Sequence, residues 1–228
     1  MNKIKSENIT KVYSENVVAI ENVNIEIEEK EIVVIFGPSG SGKTTLLNIF
    51  GLLDKPTKGN LFFNGELLNN IGERQAAEIR NKKFGFIFQF FYLLPELTVV
   101  ENVMLPLWIK EKNKGVKKYY KKAEELLEKF GLLKRRDFYP TQLSGGENQR
   151  VAICRSLICQ PEVIFADEPT GSIDKFSAEI FFNFIINLNK EKYTTFVIAT
   201  HNENFLQIAS KVVYLKEGKI EKIEKRSR

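Results

Sequence analysis

Residues Gly37-Pro38-Ser39-Gly40-Ser41-Gly42-Lys43-Thr44 fit the phosphate-loop pattern G-x-x-x-x-G-K-[ST], and no other feature restricts the fold as much. The loop requires a strand before it and a helix after it. Both are present: Ile32-Val33-Val34-Ile35-Phe36 is continuously apolar and β-branched, as in a strand buried on both faces, and a helix is expected near Gly42–Leu53. Glycines let the backbone turn tightly, so that successive N–H groups and the positive end of the helix point at a phosphate. Lys43 adds a full charge there and the Thr44 hydroxyl can reach Mg²⁺, with Thr45 beside it in the nucleotide-binding set.

Three further apolar runs, Phe84-Gly85-Phe86-Ile87-Phe88, Val163-Ile164-Phe165-Ala166 and Thr195-Phe196-Val197-Ile198-Ala199, each end in polar residues. Four such strands imply a mainly parallel sheet in an α/β core. The first thirty residues alternate polar and apolar, the period of half-exposed antiparallel strands lying over one side of that core. Between Thr98 and Gln160 the period becomes helical, with Lys117–Phe130 amphipathic and Gly146–Cys159 apolar at three- and four-residue spacings. The expected division is a single domain over 1–228: a nucleotide-binding core from 1–90 and 160–228, and a helical insertion from 91–159.

With 43% hydrophobic and 28% charged residues, 228 residues can bury a sizeable core, which excludes a disordered chain. The net charge of +5 excludes an acidic scaffold and selects no partner. Cys154 and Cys159 read as reduced, half-buried packing residues on one helix, at a spacing that matches no zinc pattern. The start has no apolar signal region, and no run approaches the roughly 18 apolar residues that span a bilayer, so any membrane role is expected to come through a partner. The Lys-rich stretch Lys112–Lys122 and the tail Lys216–Arg228 read either as solvated faces or as contacts for anionic headgroups or a partner.

The run ending Ala166-Asp167-Glu168 supplies carboxylates at a strand end. Asp167 is expected to serve the Mg²⁺ of a bound nucleotide. Glu168, pointing the opposite way in a continuing strand, is either a surface residue or a general base for water attacking the γ-phosphate. Leu143-Ser144-Gly145-Gly146-Glu147 is a second glycine-rich loop opening a helix, hence a second anion site.

At this point the chain resembles the ATP-binding cassette (ABC) ATPases over nearly its whole length, since Leu143-Ser144-Gly145-Gly146-Glu147 is similar to their signature and lies upstream of the acidic strand as theirs does. The resemblance implies a P-loop NTPase (RecA-like) core with an N-terminal antiparallel β-subdomain and a helical subdomain. It also implies ATP and Mg²⁺ as ligands, and a head-to-tail homodimer with each ATP between the phosphate loop of one copy and the signature loop of the other. By the same resemblance Tyr13 stacks on adenine, Gln89 reaches Mg²⁺ and the attacking water, Asp174 belongs to the loop after Glu168, and His201 contacts the γ-phosphate and orients the water. Three positions depart from the commoner pattern: Thr44 for serine, Gly171-Ser172-Ile173-Asp174 for Gly-Asn-Leu-Asp, and Asn148 for glutamine.

The apolar, aromatic segment Gln89–Val103 reads as a docking surface for another protein's helix or as a loop packed on the helical insertion. Family placement favours docking to integral membrane permease subunits. Together with Gly51–Thr57 and Arg80–Lys83, that segment is similar to lipoprotein-releasing cassettes, and more loosely to macrolide-export and cell-division ones. The expectation is therefore a transport ATPase on the cytoplasmic side of the inner membrane, serving a lipoprotein or another hydrophobic cargo through its membrane partner. A macrolide or antimicrobial-peptide exporter and a mechanical cell-division regulator are the alternatives, and no nucleic-acid partner is expected.

Overall fold

The computed structural model describes residues 2–14, 17–111, 116–173, 175–192 and 194–226. Its centre is a six-stranded sheet in the order β10 (Lys219–Lys225), β9 (Lys211–Lys216), β3 (Ile32–Phe36), β8 (Thr195–Thr200), β7 (Val163–Asp167), β6 (Phe84–Phe88). All neighbours run parallel except the edge hairpin β9–β10. Both faces of this sheet are covered, which is why its inner strands carry unbroken apolar runs. Period-two alternation divides β3 between two cores: Val33 and Ile35 face one, Ile32 and Val34 the other.

The first core lies under a second sheet, β2 (Val18–Glu28), β1 (Asn2–Val12), β4 (Lys58–Phe63), β5 (Glu66–Leu67), in which every pairing is antiparallel. Helix α1 (Lys43–Phe50) sends Leu46, Leu47, Ile49 and Phe50 into this core, alongside Ile4 and Ile20 from the antiparallel sheet and Phe165 and Val197 from the central one. On the opposite face, α6 (Lys175–Lys192) contributes Phe181, Ile185 and Leu188, packed on Ile164, Ala166 and Ile198.

Helices α3 (Val99–Glu111), α4 (Val116–Lys129) and α5 (Gly145–Leu157) enclose a third core. In α4, Tyr119, Ala123 and Leu127 recur at four-residue spacing on the buried face, while Lys117, Lys118, Lys121 and Glu125 are exposed. Among the described residues no helix is long and apolar enough to cross a membrane.

Several expectations change. The helix after the phosphate loop ends at Phe50, before Leu53. α5 ends at Leu157, so Cys159 lies beyond the helix that carries Cys154, and both thiols are buried rather than half-buried. Burial pushes both thiols above the ordinary range. The basic tail is not a free charge run: through Lys225 it forms β10, and β9 before it is a fifth parallel strand. The β4–β5 hairpin and α2 (Glu73–Lys83), which buries only Ala76, are elements that the sequence patterning does not announce.

Candidate active site

The parallel register aligns the strand ends that carry the candidate residues. One row of the sheet runs Phe88, Asp167, Ala199, Ile35, and Thr200 pairs with Phe36 in the next. Gln89, Glu168, His201 and Gly37 therefore leave the sheet at the same edge, within one residue of each other along the strands. This carboxyl edge is where α/β sheets bind ligands.

Two contacts make glycine necessary in the phosphate loop. A Cβ on Gly37 would stand 2.1 Å from the Leu215 carbonyl oxygen, because β9 passes directly beside the loop. Gly42 has φ 99° and a Cβ there would lie 2.5 Å from the Ala19 carbonyl oxygen. Gly42 is also the residue preceding α1, and it supplies no side-chain cap, so the first N–H groups of the helix face outward unpaired by any side chain. Ser41 is closed in between these elements, its hydroxyl buried with no hydrogen-bond partner among the described residues. Lys43 is buried and donates to the carbonyls of Gly37 and Pro38, both at 2.9 Å.

The two carboxylates separate as the sequence reading expects, for a different reason. β7 stops at Asp167, and Glu168 turns out of the sheet with φ 41°, a left-handed conformation that costs a non-glycine residue about 1 kcal/mol or more. Asp167 accepts a hydrogen bond from Thr44 Oγ1 at 3.1 Å. Burial pushes its carboxyl above the usual range, aided by the charge of Glu168 and opposed by the Thr44 hydrogen bond and Lys43. Glu168 instead accepts from Thr200 Oγ1 at 2.8 Å and from the His201 backbone N–H at 3.1 Å, and its Oε1 lies 2.8 Å from His201 Nδ1. Lys43 Nζ stands 3.8 Å from the same Oε1. Sequence reasoning missed Thr200, which is the last residue of an apolar strand and carries no motif.

Gln89 follows β6 and lies over the turn after Glu168, where a Cβ on Gly171 would come within 3.0 Å of Gln89 Nε2. The next residues fold back sharply: Phe91 and Tyr92 are both left-handed, at φ 58° and 46°. Arg155 of α5 donates to the carbonyls of both. Tyr13 is exposed at the end of β1, its hydroxyl donating to Asp54 Oδ2 at 2.9 Å. Asp174 lies outside the described residues.

The second glycine-rich loop opens α5 in another way. Ser144 is the N-cap, and Glu147 turns back on it, accepting from the Ser144 N–H and hydroxyl, both at 2.9 Å, while Ser144 Oγ accepts from the Glu147 N–H at 3.3 Å. The Ser144 N–H bond, with further hydrogen bonds from the Ser144 hydroxyl and Arg135, holds the Glu147 carboxyl below its usual range despite partial desolvation. Gly146 is buried against Ser177, where a Cβ would meet Ser177 Oγ at 2.4 Å. Gly145 and Ser144 are exposed. Among the described residues no hydrogen bond or ion pair joins this loop to the phosphate loop.

A groove of about 360 Å³ runs between β6, α2 and α3, lined by Leu53, Phe86, Phe88, Pro106, Ile109 and Arg155 among others. Phe90, Tyr92 and Ile109 are exposed, each by more than 60%. Large exposed apolar side chains gathered in this way mark a contact surface.

Comparison with known proteins identifies the family. The model of the family described as ABC transporter matches residues 20–171. An uncharacterized ABC transporter ATP-binding protein of Methanocaldococcus jannaschii is 44% identical over 96% of this chain and 98% of its own length. The lipoprotein-releasing system ATP-binding protein LolD of Francisella tularensis is 44% identical over 96% of this chain and 95% of its own. Among solved structures, the ATP-binding cassette MJ0796 of Methanocaldococcus jannaschii, a dimer in a post-hydrolysis state with ADP and Pi, matches with a TM-score of 0.92. That match spans 99% of this chain and all of the other at 41% identity. A phosphate loop, an acidic strand end and a second glycine-rich loop on one α/β frame, together with these likenesses, place the chain in the ABC transporter family, as one of its ATP-hydrolysing cassettes.

Proposed function

We propose that this cassette works as a head-to-tail homodimer that drives a separate membrane subunit, and that the cargo is a lipoprotein released from the inner membrane. The observation that carries the catalytic part is the divergence of the two carboxylates, Asp167 toward Thr44 and Glu168 toward His201. In this reading Glu168 is the general base: it takes the proton of the attacking water, and His201 orients that water against the γ-phosphate. The α1 N–H groups, Lys43 and the Ser39–Gly42 backbone hold the β- and γ-phosphates, with Thr45 in the same set. Tyr13 offers its ring to adenine, a contact of about 1–3 kcal/mol.

The donor set fits Mg²⁺. Thr44, Asp167 and the Gln89 amide offer hard oxygens, and the desolvated Asp167 carboxylate is favoured by a nearby cation. Bound there, Mg²⁺ would neutralise charge on the transferring phosphoryl group.

The dimer follows from the second loop. Ser144, Gly145 and Gly146, with the Glu147 cap behind them, and Asp174 in the loop beyond Glu168, are assigned to the ATP held by the opposite copy. The MJ0796 cassette, which this chain resembles throughout, is a dimer with ADP and Pi. The groove beside Phe90, Tyr92 and Ile109 is assigned to the membrane subunit, which holds the cassette peripherally at the cytoplasmic face. Lipoprotein release rests on the likeness to the LolD proteins.

The test has two parts. Glu168→Gln should bind ATP normally, accumulate dimers and lose about 10²–10⁴-fold in turnover; near-normal turnover excludes Glu168 as the base. Purification with the membrane subunit should bring a lipoprotein with it, and a small-molecule or peptide cargo in its place refutes the assigned substrate.

A further inference from the structure

Arg155 stands out because it is a cation without a carboxylate. It sits on α5 within the apolar run Val151-Ala152-Ile153-Cys154-Arg155-Ser156-Leu157, half-buried, and among the described residues no ion pair includes it. Burial pushes its guanidinium down to about 10. Such a group persists where its donors have a use, and here they go to two successive backbone carbonyls, those of Phe91 and Tyr92.

Both of those residues are left-handed, at φ 58° and 46°. Aromatic residues rarely adopt positive φ, and two in succession require an external restraint. The restraint fixes a tight turn: the Phe91 N–H donates to Phe88 at 3.2 Å, the Tyr92 N–H to Phe90 at 2.6 Å, and the Tyr92 ring packs edge-on against Phe88 at 5.2 Å. Gln89 lies inside this turn, with its amide over Gly171.

We infer that Arg155 is a positioning residue for Gln89: its planar fork clamps the 91–92 carbonyls, imposes the left-handed turn and thereby fixes where the Gln89 amide sits. This rests on the reading that Gln89 serves the ATP chemistry. Arg155 also lines the groove assigned to the membrane subunit and shares α5 with the signature loop, so a segment docked in the groove bears on Gln89 through it.

The experiment compares steady-state ATP hydrolysis by the full-length cassette and its Arg155→Met, Arg155→Lys and Gln89→Ala variants. Arg155→Met should lower kcat about tenfold, equivalent to about 1.4 kcal/mol of barrier, with KM for ATP within twofold of wild type. Arg155→Lys should recover part of the loss, since an ammonium can still donate to one carbonyl. Adding Tyr92→Gly to Arg155→Met should restore part of kcat, because glycine takes positive φ without strain at one of the two left-handed positions.

Wild-type kcat in Arg155→Met, with Gln89→Ala slowed, overturns the inference and leaves the reading of Gln89 intact. Wild-type kcat in Gln89→Ala overturns both. A loss of kcat that tracks a fall in melting temperature and is not restored by Tyr92→Gly makes Arg155 merely structural, which also overturns the inference. Should Arg155→Met not fold, Arg155→Lys decides: reduced kcat at unchanged KM supports the clamp, and wild-type kcat refutes it.

Discussion

The molecule opens two helices with glycine-rich loops, and the two openings are built oppositely. α1 begins after a left-handed glycine with no side-chain cap and no acidic residue in its first turn. α5 begins with a complete capping box, in which Ser144 and Glu147 each accept from the other's N–H. An uncapped helix start with a buried lysine beside it is an anion site waiting in one chain. A capping box pairs only the Ser144 and Glu147 N–H groups, so among the described residues the Gly145 and Gly146 N–H groups are left for an anion, with a carboxylate beside them that opposes one. In the proposed dimer the first loop would bind phosphate by itself, and the second would contribute where the other copy presents the phosphate to it. This asymmetry suits the proposed sharing of a nucleotide between two copies.

The largest test of that contrast is Lys43→Ala. Losing a charged contact to phosphate is worth about 1.5–3 kcal/mol, so ATP affinity of the single cassette should fall roughly 10- to 100-fold by calorimetry. Unchanged binding would remove the distinction between the loops. Ser144→Ala should behave differently. Loss of the cap costs about 1 kcal/mol, a fall of about 2–4 °C in melting temperature for a chain of this size, while ATP affinity of the single cassette stays as it was. A large drop in that affinity would mean that both loops serve the same copy's nucleotide.

The smallest effect concerns Glu147. Its folded carboxyl titrates below the usual 4.5, so its contribution is present above that value and is lost as pH falls through the lowered one. Because the group is near the surface, the expected change is about 1 °C or less. Glu147→Gln keeps the capping geometry without the charge and should flatten the acid limb of the melting curve below pH 4.5. An unaltered acid limb would show that the cap does not depend on the carboxylate charge.

The same contrast shows what a sequence can disclose. The phosphate loop is legible because its residues are fixed by local backbone geometry, and the strands before it and before Asp167 because burial on both faces leaves no polar residue. β10 escaped because Lys219-Ile220-Glu221-Lys222-Ile223-Glu224-Lys225 repeats every three residues, with a register shift between Ile220 and Lys222, and shows no strand period. α2 escaped because its single buried residue leaves no apolar stripe. The departure of Glu168 from its strand depends on backbone dihedrals that no composition reports. Arg155 did leave a trace, a lone guanidinium in an apolar helical run, and a charge at such a place is a reason to look for buried carbonyls.

The shared row of strand ends has a consequence for how this chain can change over time. Gln89, Glu168, His201 and Gly37 are placed by counting residues along four separate strands from a common line of hydrogen bonds. Losing or gaining one residue inside any of these strands would turn its final side chain to the other face of the sheet. Length variation can therefore accumulate in the turns at the opposite end, such as Gln160–Glu162, while at the catalytic end the sheet works as a ruler that admits substitution far more readily than insertion.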